Sequence, residues 1–185
     1  SILLEILFFL KISYAGNIGY DGTSPSLTGN FDDGNTRYFT QIIPTSDATI
    51  TKLGVVQPAS GSGSLGRIIL TIYSNNDASN VPNILLGQTS IASQSYGGGN
   101  LEIALSSSID LTANTKYWIG AFAANGNGSR VGVQYACSQP SSVKYALFKT
   151  SNGNNPATPQ NSWSSYPDAS TIPCLLYTSP SPRDH

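Results

Sequence analysis

The sequence has little of the chemistry on which most enzyme active sites are built. It contains a single histidine, His185 at the last position, and only two cysteines, Cys137 and Cys174. Charged residues make up 10% of the chain, against about a quarter in a typical globular domain. The formal net charge of −1 provides no basic surface, so we expect no nucleic-acid partner.

What the sequence does contain favours an all-β fold. Short runs of β-branched and aromatic residues recur along the chain, and clusters of Gly, Asn, Ser and Pro separate them. No stretch between these runs has the period of an amphipathic helix. This pattern predicts an antiparallel β-sandwich of about eight strands. The predicted strands are residues 36–43, 48–57, 65–74, 84–93, 100–105, 116–123, 130–137 and 143–150.

Two of these strands and one turn carry finer predictions. The apolar pattern of residues 48–57 slips by one position, which indicates a β-bulge near Lys52. In residues 65–74 three aliphatic side chains alternate with polar side chains and a tyrosine, which is typical of a strand with one buried face. A turn at residues 112–114 precedes the strongest strand of the chain.

Residues 1–15 have the composition of a secretory signal peptide. An apolar run interrupted by Glu5 is followed by Ser13 and Ala15, the small side chains that signal peptidase requires ahead of its cleavage site. The run is too short to span a bilayer as a helix, so we expect no membrane span. Because it lacks a basic flank, we interpret it as a truncated signal peptide, and the protein as secreted or at the extracellular surface. The alternative is a buried hydrophobic helix or strand.

The C-terminal stretch CLLYTSPSPRD differs in composition from the Gly-, Ser- and Asn-rich chain before it. It resembles the in-frame translation of a transposase-type sequencing adapter. We therefore interpret residues 174–185 as an artefactual tail on a metagenomic gene fragment, and residues 16–173 as one β-sandwich domain of a longer protein. Cys137 is then a single thiol without a native disulfide partner. If the stretch is natural, Cys174 becomes a candidate partner for Cys137.

Setting this tail aside leaves no histidine in the native sequence. Ser-His-Asp and Cys-His catalytic groups are then excluded, and so are zinc sites built on histidine or on several cysteines. Paired carboxylates still allow glycoside hydrolysis. Most of the aspartates, however, fall in Gly-, Asn- and Ser-rich turns, where an aspartate ordinarily bonds to its own backbone.

Three segments resemble a module common in secreted bacterial and phage-associated proteins. These are ATITKLGVV, LTIYSNNDASNVPNILLGQT and IDLTANTKYWIGAFA, and the resemblance extends over residues 36–170. It implies a jelly-roll β-sandwich similar to carbohydrate-binding domains, closed by one more strand after a Trp- and Pro-containing loop. The adapter-like stretch begins where that strand belongs. We therefore expect the final strand to be missing and the neighbouring strand edge to be unpaired.

Three aromatic residues are candidates for ligand binding. Trp163 and Tyr166 lie in the long polar loop 151–173, and Tyr96 precedes the glycine turn 97–99. Exposed rings are the usual platform for the apolar face of a sugar, whose hydroxyls bond to nearby polar groups. The alternative for Trp163 is a structural one, because in the resembling modules the tryptophan of this loop covers an open end of the sandwich.

Calcium is the one candidate cofactor. Asp32 and Asp33, together with Asp77, offer the oxygen ligands that this hard cation prefers. The segment lacks the spacing and the terminal glutamate of an EF-hand loop. Solvated aspartates in a turn are the alternative interpretation.

Taken together, these features predict a non-catalytic extracellular module that binds a glycan or serves as a structural spacer in a larger secreted or surface protein. Its expected partners are a polysaccharide or cell-surface glycan and further domains of a longer parent chain. One alternative is a structural or receptor-binding domain of a phage virion, which would normally lack a signal peptide. A second alternative is a glycoside-active enzyme domain.

Overall fold

The computed structural model describes residues 17–19, 27–31, 36–60, 65–124, 131–135, 143–145, 148–149 and 175–178, with side-chain burial for residues 39–60 and 65–124. The described residues contain strands and turns but no helix, which confirms the all-β prediction. Accordingly, no helix among them is long and apolar enough to cross a membrane. The thirteen strands are β1 (Asn17–Gly19), β2 (Leu27–Phe31), β3 (Thr36–Ile42), β4 (Ala48–Val56), β5 (Arg67–Asn76), β6 (Val81–Gln88), β7 (Ala92–Ser93), β8 (Asn100–Leu111), β9 (Tyr117–Ala123), β10 (Val131–Tyr135), β11 (Val143–Tyr145), β12 (Phe148–Lys149) and β13 (Leu175–Thr178).

Seven strands, β3 to β9, form the body of the fold as two antiparallel sheets. In the larger sheet β9 lies between β3 and β5, and both β6 and β7 pair with the other edge of β5. In the smaller sheet β4 pairs with β8. Short strands extend both sheets: β11 and β12 pair with β3, β13 pairs with β4, and β1 pairs with β13. This pairing establishes a sandwich-like arrangement of two antiparallel sheets, but it does not establish a jelly roll.

The inner core, which lies between the two sheets, is almost entirely aliphatic. Ile50, Leu53 and Leu70 have no exposed surface at all. Burying one such side chain contributes about 1.5–3 kcal/mol of hydrophobic stabilisation. The inner core comprises Ile42, Ile50, Leu53, Val55, Ile68, Leu70, Ile72, Ile103, Ile109, Leu111, Tyr117, Ile119, Ala121 and Ala123.

The outer face of the larger sheet is also buried, so the prediction of one buried face for residues 65–74 is wrong. Every side chain from Ile68 to Tyr73 is buried in β5. On the second face Phe39 makes edge-to-face contacts with Tyr73 and Phe122, with ring centroids 5.5 and 5.6 Å apart. The prediction failed because β5 is an interior strand, and rings from β3 and β9 continue its second face. This aromatic cluster comprises Phe39, Ile69, Tyr73, Trp118 and Phe122.

The predicted bulge near Lys52 is confirmed. The register between β4 and β8 shifts between Ile50 and Lys52, and it skips residues 105–108 of β8. Within the skipped segment Leu105 forms an isolated bridge with Thr89, directly after β6. Because β6 belongs to the larger sheet, β8 links the neighbouring edges of the two sheets at this point.

The expectation of an unpaired edge beside a missing final strand is wrong. β13 pairs with β4 from Leu175 opposite Val55 to Thr178 opposite Lys52. An open strand edge offers backbone N–H and C=O groups to any extended segment that reaches it, and Leu-Leu-Tyr-Thr has good β propensity. Such pairing depends on the backbone, so the origin of residues 174–185 stays a prediction.

Candidate functional site

A cleft of about 470 Å³ lies between the two sheets, at the end where β5 and β8 finish and β9 begins. Leu86, Ile109 and Tyr117 supply its apolar lining. Its polar lining comes from the end of β5 and the β5–β6 turn, from the residues directly before β9 and from β8, so both sheets contribute. The polar side chains include Ser74, Asn75, Asp77, Ser108, Asp110 and Lys116.

The end of β5, with Ser74 and Asn75, and Asp77 of the β5–β6 turn form one wall of the cleft. Asn76 Oδ1 accepts hydrogen bonds from the backbone N–H groups of Ala78 and Ser79, at 3.0 and 3.4 Å. Asn80 has a φ of 52°, a left-handed conformation that asparagine tolerates well, and its N–H donates to Asn76 O at 2.6 Å. This tight turn lets β6 begin at Val81, three residues before the predicted start at position 84.

A chain of hydrogen bonds runs from the aromatic cluster to the cleft. The Trp118 indole Nε1–H donates to Asn75 Oδ1 at 2.8 Å, and Asn75 Nδ2 donates to Asp77 Oδ1 at 2.7 Å. Trp118 is fully buried, whereas Asp77 is exposed. The amide of Asn75 therefore connects an immobilised ring on the outer face of the sheet to a carboxylate that lines the cleft.

The opposite wall comes from β8. Thr49 Oγ1 donates to Asp110 Oδ1 at 2.5 Å, across the β4–β8 pair. Ser108, which also lines the cleft, belongs to the segment that the β4–β8 register skips. A Cβ atom on Gly87 would lie 2.6 Å from Ile109 Cδ1, so the absence of a side chain at Gly87 allows β6 to approach β8. The bulge and this close approach together shape the wall.

Lys116 and Tyr117 form the third part of the lining. Lys116 Nζ donates to Asn80 Oδ1 at 2.8 Å, and Gln41 Nε2 donates to the same oxygen at 3.0 Å. Gln41 is 2% exposed, so its amide fixes Asn80 from the sheet below. The Tyr117 hydroxyl accepts the backbone N–H of Thr112 at 3.0 Å. The predicted turn at residues 112–114 is confirmed, because the N–H of Thr115 donates to Thr112 O at 3.3 Å and Asn114 has a φ of 58°.

Negative charges outnumber positive charges in the lining of the cleft. Among the lining residues that the structure describes, Asp77 and Asp110 carry carboxylates and Lys116 carries the one ammonium group. A carboxylate can accept about four hydrogen bonds, and one protein donor is described for each of these two. Both can therefore accept further bonds from a ligand. The arrangement suits a small molecule that carries hydrogen-bond donors and some apolar surface.

Tyr96 is not brought to this cleft. It is partly buried beside the glycine turn, and the N–H groups of Gly97 and Gly98 both donate to Pro58 O, at 3.1 and 3.0 Å. All three glycines of the turn have positive φ angles, which favour glycine. The turn lies where β8 starts, whereas Asp110 lies where β8 ends. The length of β8 therefore separates Tyr96 from the cleft.

Of the other predicted site residues, only Asp77 lies in the described part of the chain. Trp163, Tyr166, Asp32 and Asp33 lie outside the described residues, so their roles stay predictions. Asp77, the third predicted calcium ligand, does line the cleft. Within the described part of the chain, no three His, Cys, Asp or Glu side chains are grouped in a way that could hold a metal ion.

Sequence reasoning missed Asn75, Asp110 and Lys116 as site residues. A signal for Asp110 was present, because an aspartate inside a strand is unusual and its neighbours Ile109 and Leu111 are both buried. An aspartate that interrupts a core strand without joining the core marks a position worth testing. Asn75 gave no such signal, because it lies in a segment rich in asparagine.

Comparison with known proteins identifies no relative of this chain. No protein-family model matches it, and no curated protein matches it. The strands and their pairing establish an antiparallel all-β domain.

Proposed function

We propose that the chain is a non-catalytic extracellular β-sandwich module of jelly-roll type, which binds a glycan in the cleft and belongs to a longer secreted or surface protein. The observation that carries the proposal is a cleft in which apolar side chains lie beside exposed carboxylates, an amide and hydroxyls. The two antiparallel sheets support the jelly-roll assignment. The resemblance of residues 36–170 to secreted bacterial and phage-associated modules supports it as well.

A sugar ring offers the two kinds of surface that this cleft offers. Its C–H faces can pack on Leu86 and Ile109, while its hydroxyls can donate to Asp77 and Asp110 and accept from Lys116. The volume of about 470 Å³ falls in the range of about 300–1,000 Å³ that is typical of ligand pockets. One or two sugar units are the ligand size that we expect.

Binding to immobilised polysaccharides tests the proposal. Asp77→Ala and Asp110→Ala are each expected to weaken retention about tenfold or more, because a hydrogen bond to a charged group contributes about 1.5–3 kcal/mol. Glu102→Ala is the matched control, since Glu102 is an exposed acid on β8 at the end remote from the cleft. It is expected to leave retention unchanged.

The same assay separates the cleft from the predicted aromatic platform. If Trp163→Ala and Tyr166→Ala abolish retention while the two aspartate variants bind normally, the glycan site is the loop and the cleft proposal fails. If the folded wild-type protein retains no polysaccharide, the spacer role replaces glycan binding. Unchanged retention in all four variants would place the site elsewhere on the chain.

Glycoside hydrolysis is the second candidate, because two carboxylates, Asp77 and Asp110, line one cleft. Retaining and inverting glycosidases both use a pair of acidic residues on either side of the scissile bond. The test is release of reducing ends from the polysaccharides that the protein retains. Release that disappears in both Asp77→Asn and Asp110→Asn would replace the non-catalytic proposal with an enzymatic one.

A further inference from the structure

The hydrogen bonds of Asn75 fix how Asp77 is presented to the cleft. An indole N–H only donates, so the partner that faces Trp118 Nε1 must be the amide oxygen of Asn75. The amide nitrogen then faces Asp77 and donates to its carboxylate. Because Trp118 is fully buried, it cannot turn to accommodate another arrangement. Asp77 is thereby held as an acceptor at the wall of the cleft.

The other charged groups of the cleft are held as well. Asp110 accepts the hydroxyl of Thr49, and Lys116 is drawn to Asn80, whose amide oxygen also accepts Gln41. The ammonium group therefore has its own protein partner, and no direct ion pair joins it to either carboxylate among the described contacts. The lining residues carry two carboxylates and one ammonium group, so the formal net charge that a ligand meets on entering is −1.

We propose that the cleft selects uncharged, hydroxyl-bearing sugars against uronic acids and other anionic sugars, that Asp77 and Asp110 make this selection, and that Asn75 is the positioning residue for Asp77. The inference rests on the proposed glycan-binding function. A neutral sugar donates hydroxyl hydrogens to both carboxylates, whereas a sugar carboxylate brings a like charge to the same oxygens. The selection weakens as salt screens the charges.

Matched pairs of oligosaccharides test this selection. The probes are short oligomers of glucose, galactose and mannose, each compared by calorimetric titration with the oligomer of the corresponding uronic acid. Wild-type protein is expected to bind the neutral member of its preferred pair about tenfold or more tightly at low salt. The double variant Asp77→Asn/Asp110→Asn is expected to reduce that preference to about threefold or less. Glu102→Gln is the control, and its preference should match that of the wild type.

The positioning role of Asn75 has its own readout. Asn75→Ala and Trp118→Phe each break the hydrogen-bond chain without altering a carboxylate, so each should lower the neutral-over-uronate preference toward that of the single variant Asp77→Asn. The indole N–H resonance of Trp118, assigned with the help of Trp163→Phe, reports that the protein is folded and should shift in Asn75→Ala. A shifted resonance with an unchanged preference overturns the positioning role.

The remaining outcomes separate this inference from the proposed function. Equal or tighter binding of the uronic-acid oligomers overturns the selection while glycan binding stands. Binding of neither member of any pair by folded protein overturns the proposed function and the inference together. A preference that survives in the double aspartate variant assigns the selection to other residues and overturns the role of the two carboxylates.

Discussion

The two faces of the larger sheet are equally well buried but differ in chemistry. The inner core is built from branched aliphatic side chains, with Tyr117 at its margin. The aromatic cluster is built from rings that meet edge to face, and Trp118 bonds from it to Asn75 at the cleft. The inner face therefore contributes mainly non-directional hydrophobic stabilisation. The outer face depends on shape and on polar anchors, and its hydrogen bond from Trp118 to Asn75 connects it to the site.

The largest expected effect is on the inner core. Leu70 has no exposed surface and belongs to an interior strand, so Leu70→Ala is expected to lower the free energy of unfolding by about 2–5 kcal/mol. Urea denaturation followed by circular dichroism measures the change. Ile84→Ala is the control, because Ile84 is 62% exposed and its truncation should cost about 0.5 kcal/mol or less. Similar losses in the two variants would contradict the assigned core.

The second effect tests shape complementarity in the aromatic cluster. A Cβ atom on Gly120 would lie 2.6 Å from Phe39 Cε1 and 2.7 Å from Thr71 Oγ1. Gly120→Ala is therefore expected to lower the free energy of unfolding by about 1–3 kcal/mol through overpacking. Both neighbours are buried, so neither can move aside without disturbing the cluster.

Gly87→Ala is the matched control for this prediction. Its added Cβ would meet Ile109 Cδ1, the far end of a side chain that can change rotamer, and the loss should be smaller than that of Gly120→Ala. Combining Gly120→Ala with Phe39→Leu should recover part of the loss that the glycine variant causes. If the combined losses simply add, overpacking against Phe39 is not the cause.

The strands of this domain could be predicted from the sequence, but the second buried face could not. Alternation within one strand says which side chains share a face, and its one-residue slip located the register shift near Lys52. The turn at residues 112–114 and the apolar run after it located β9. Burial of Tyr73 depends on Phe39 and Phe122, which come from other strands distant in the sequence. Only the pairing of β3, β9 and β5 brings these rings together.

The cleft was unpredictable for a related reason. Asp77 was recognised as a candidate because it lies in a polar turn, but Asp110 comes from the other sheet, where it pairs with Thr49 beside the skipped segment 105–108. Within that segment Leu105 forms a bridge with Thr89, which is a long-range contact. A polar turn such as the one that contains Asp77 can be recognised from neighbouring residues in the sequence. Which residues of the other sheet lie opposite that turn depends on long-range strand pairing, which the sequence does not show.

The third effect concerns the polar anchor that distinguishes the outer face. Trp118→Phe keeps an aromatic ring but removes the N–H that bonds to Asn75, and we expect a loss of about 1–2 kcal/mol in the free energy of unfolding. A double-mutant cycle with Asn75→Ala isolates the hydrogen bond, with an expected coupling of about 1 kcal/mol. Strictly additive losses would mean that the contact contributes no stability, even if it orients the amide.

The smallest effect is expected where neither face is involved. Lys52 Nζ lies 3.7 Å from Glu102 Oε2 on the smaller sheet, and the two side chains are 52% and 35% exposed. Water and salt screen such a pair, so Lys52→Ala should lower the free energy of unfolding by about 1 kcal/mol or less, with less effect at high salt. A loss comparable to that of Leu70→Ala would mean that Lys52 supports the bulge by packing.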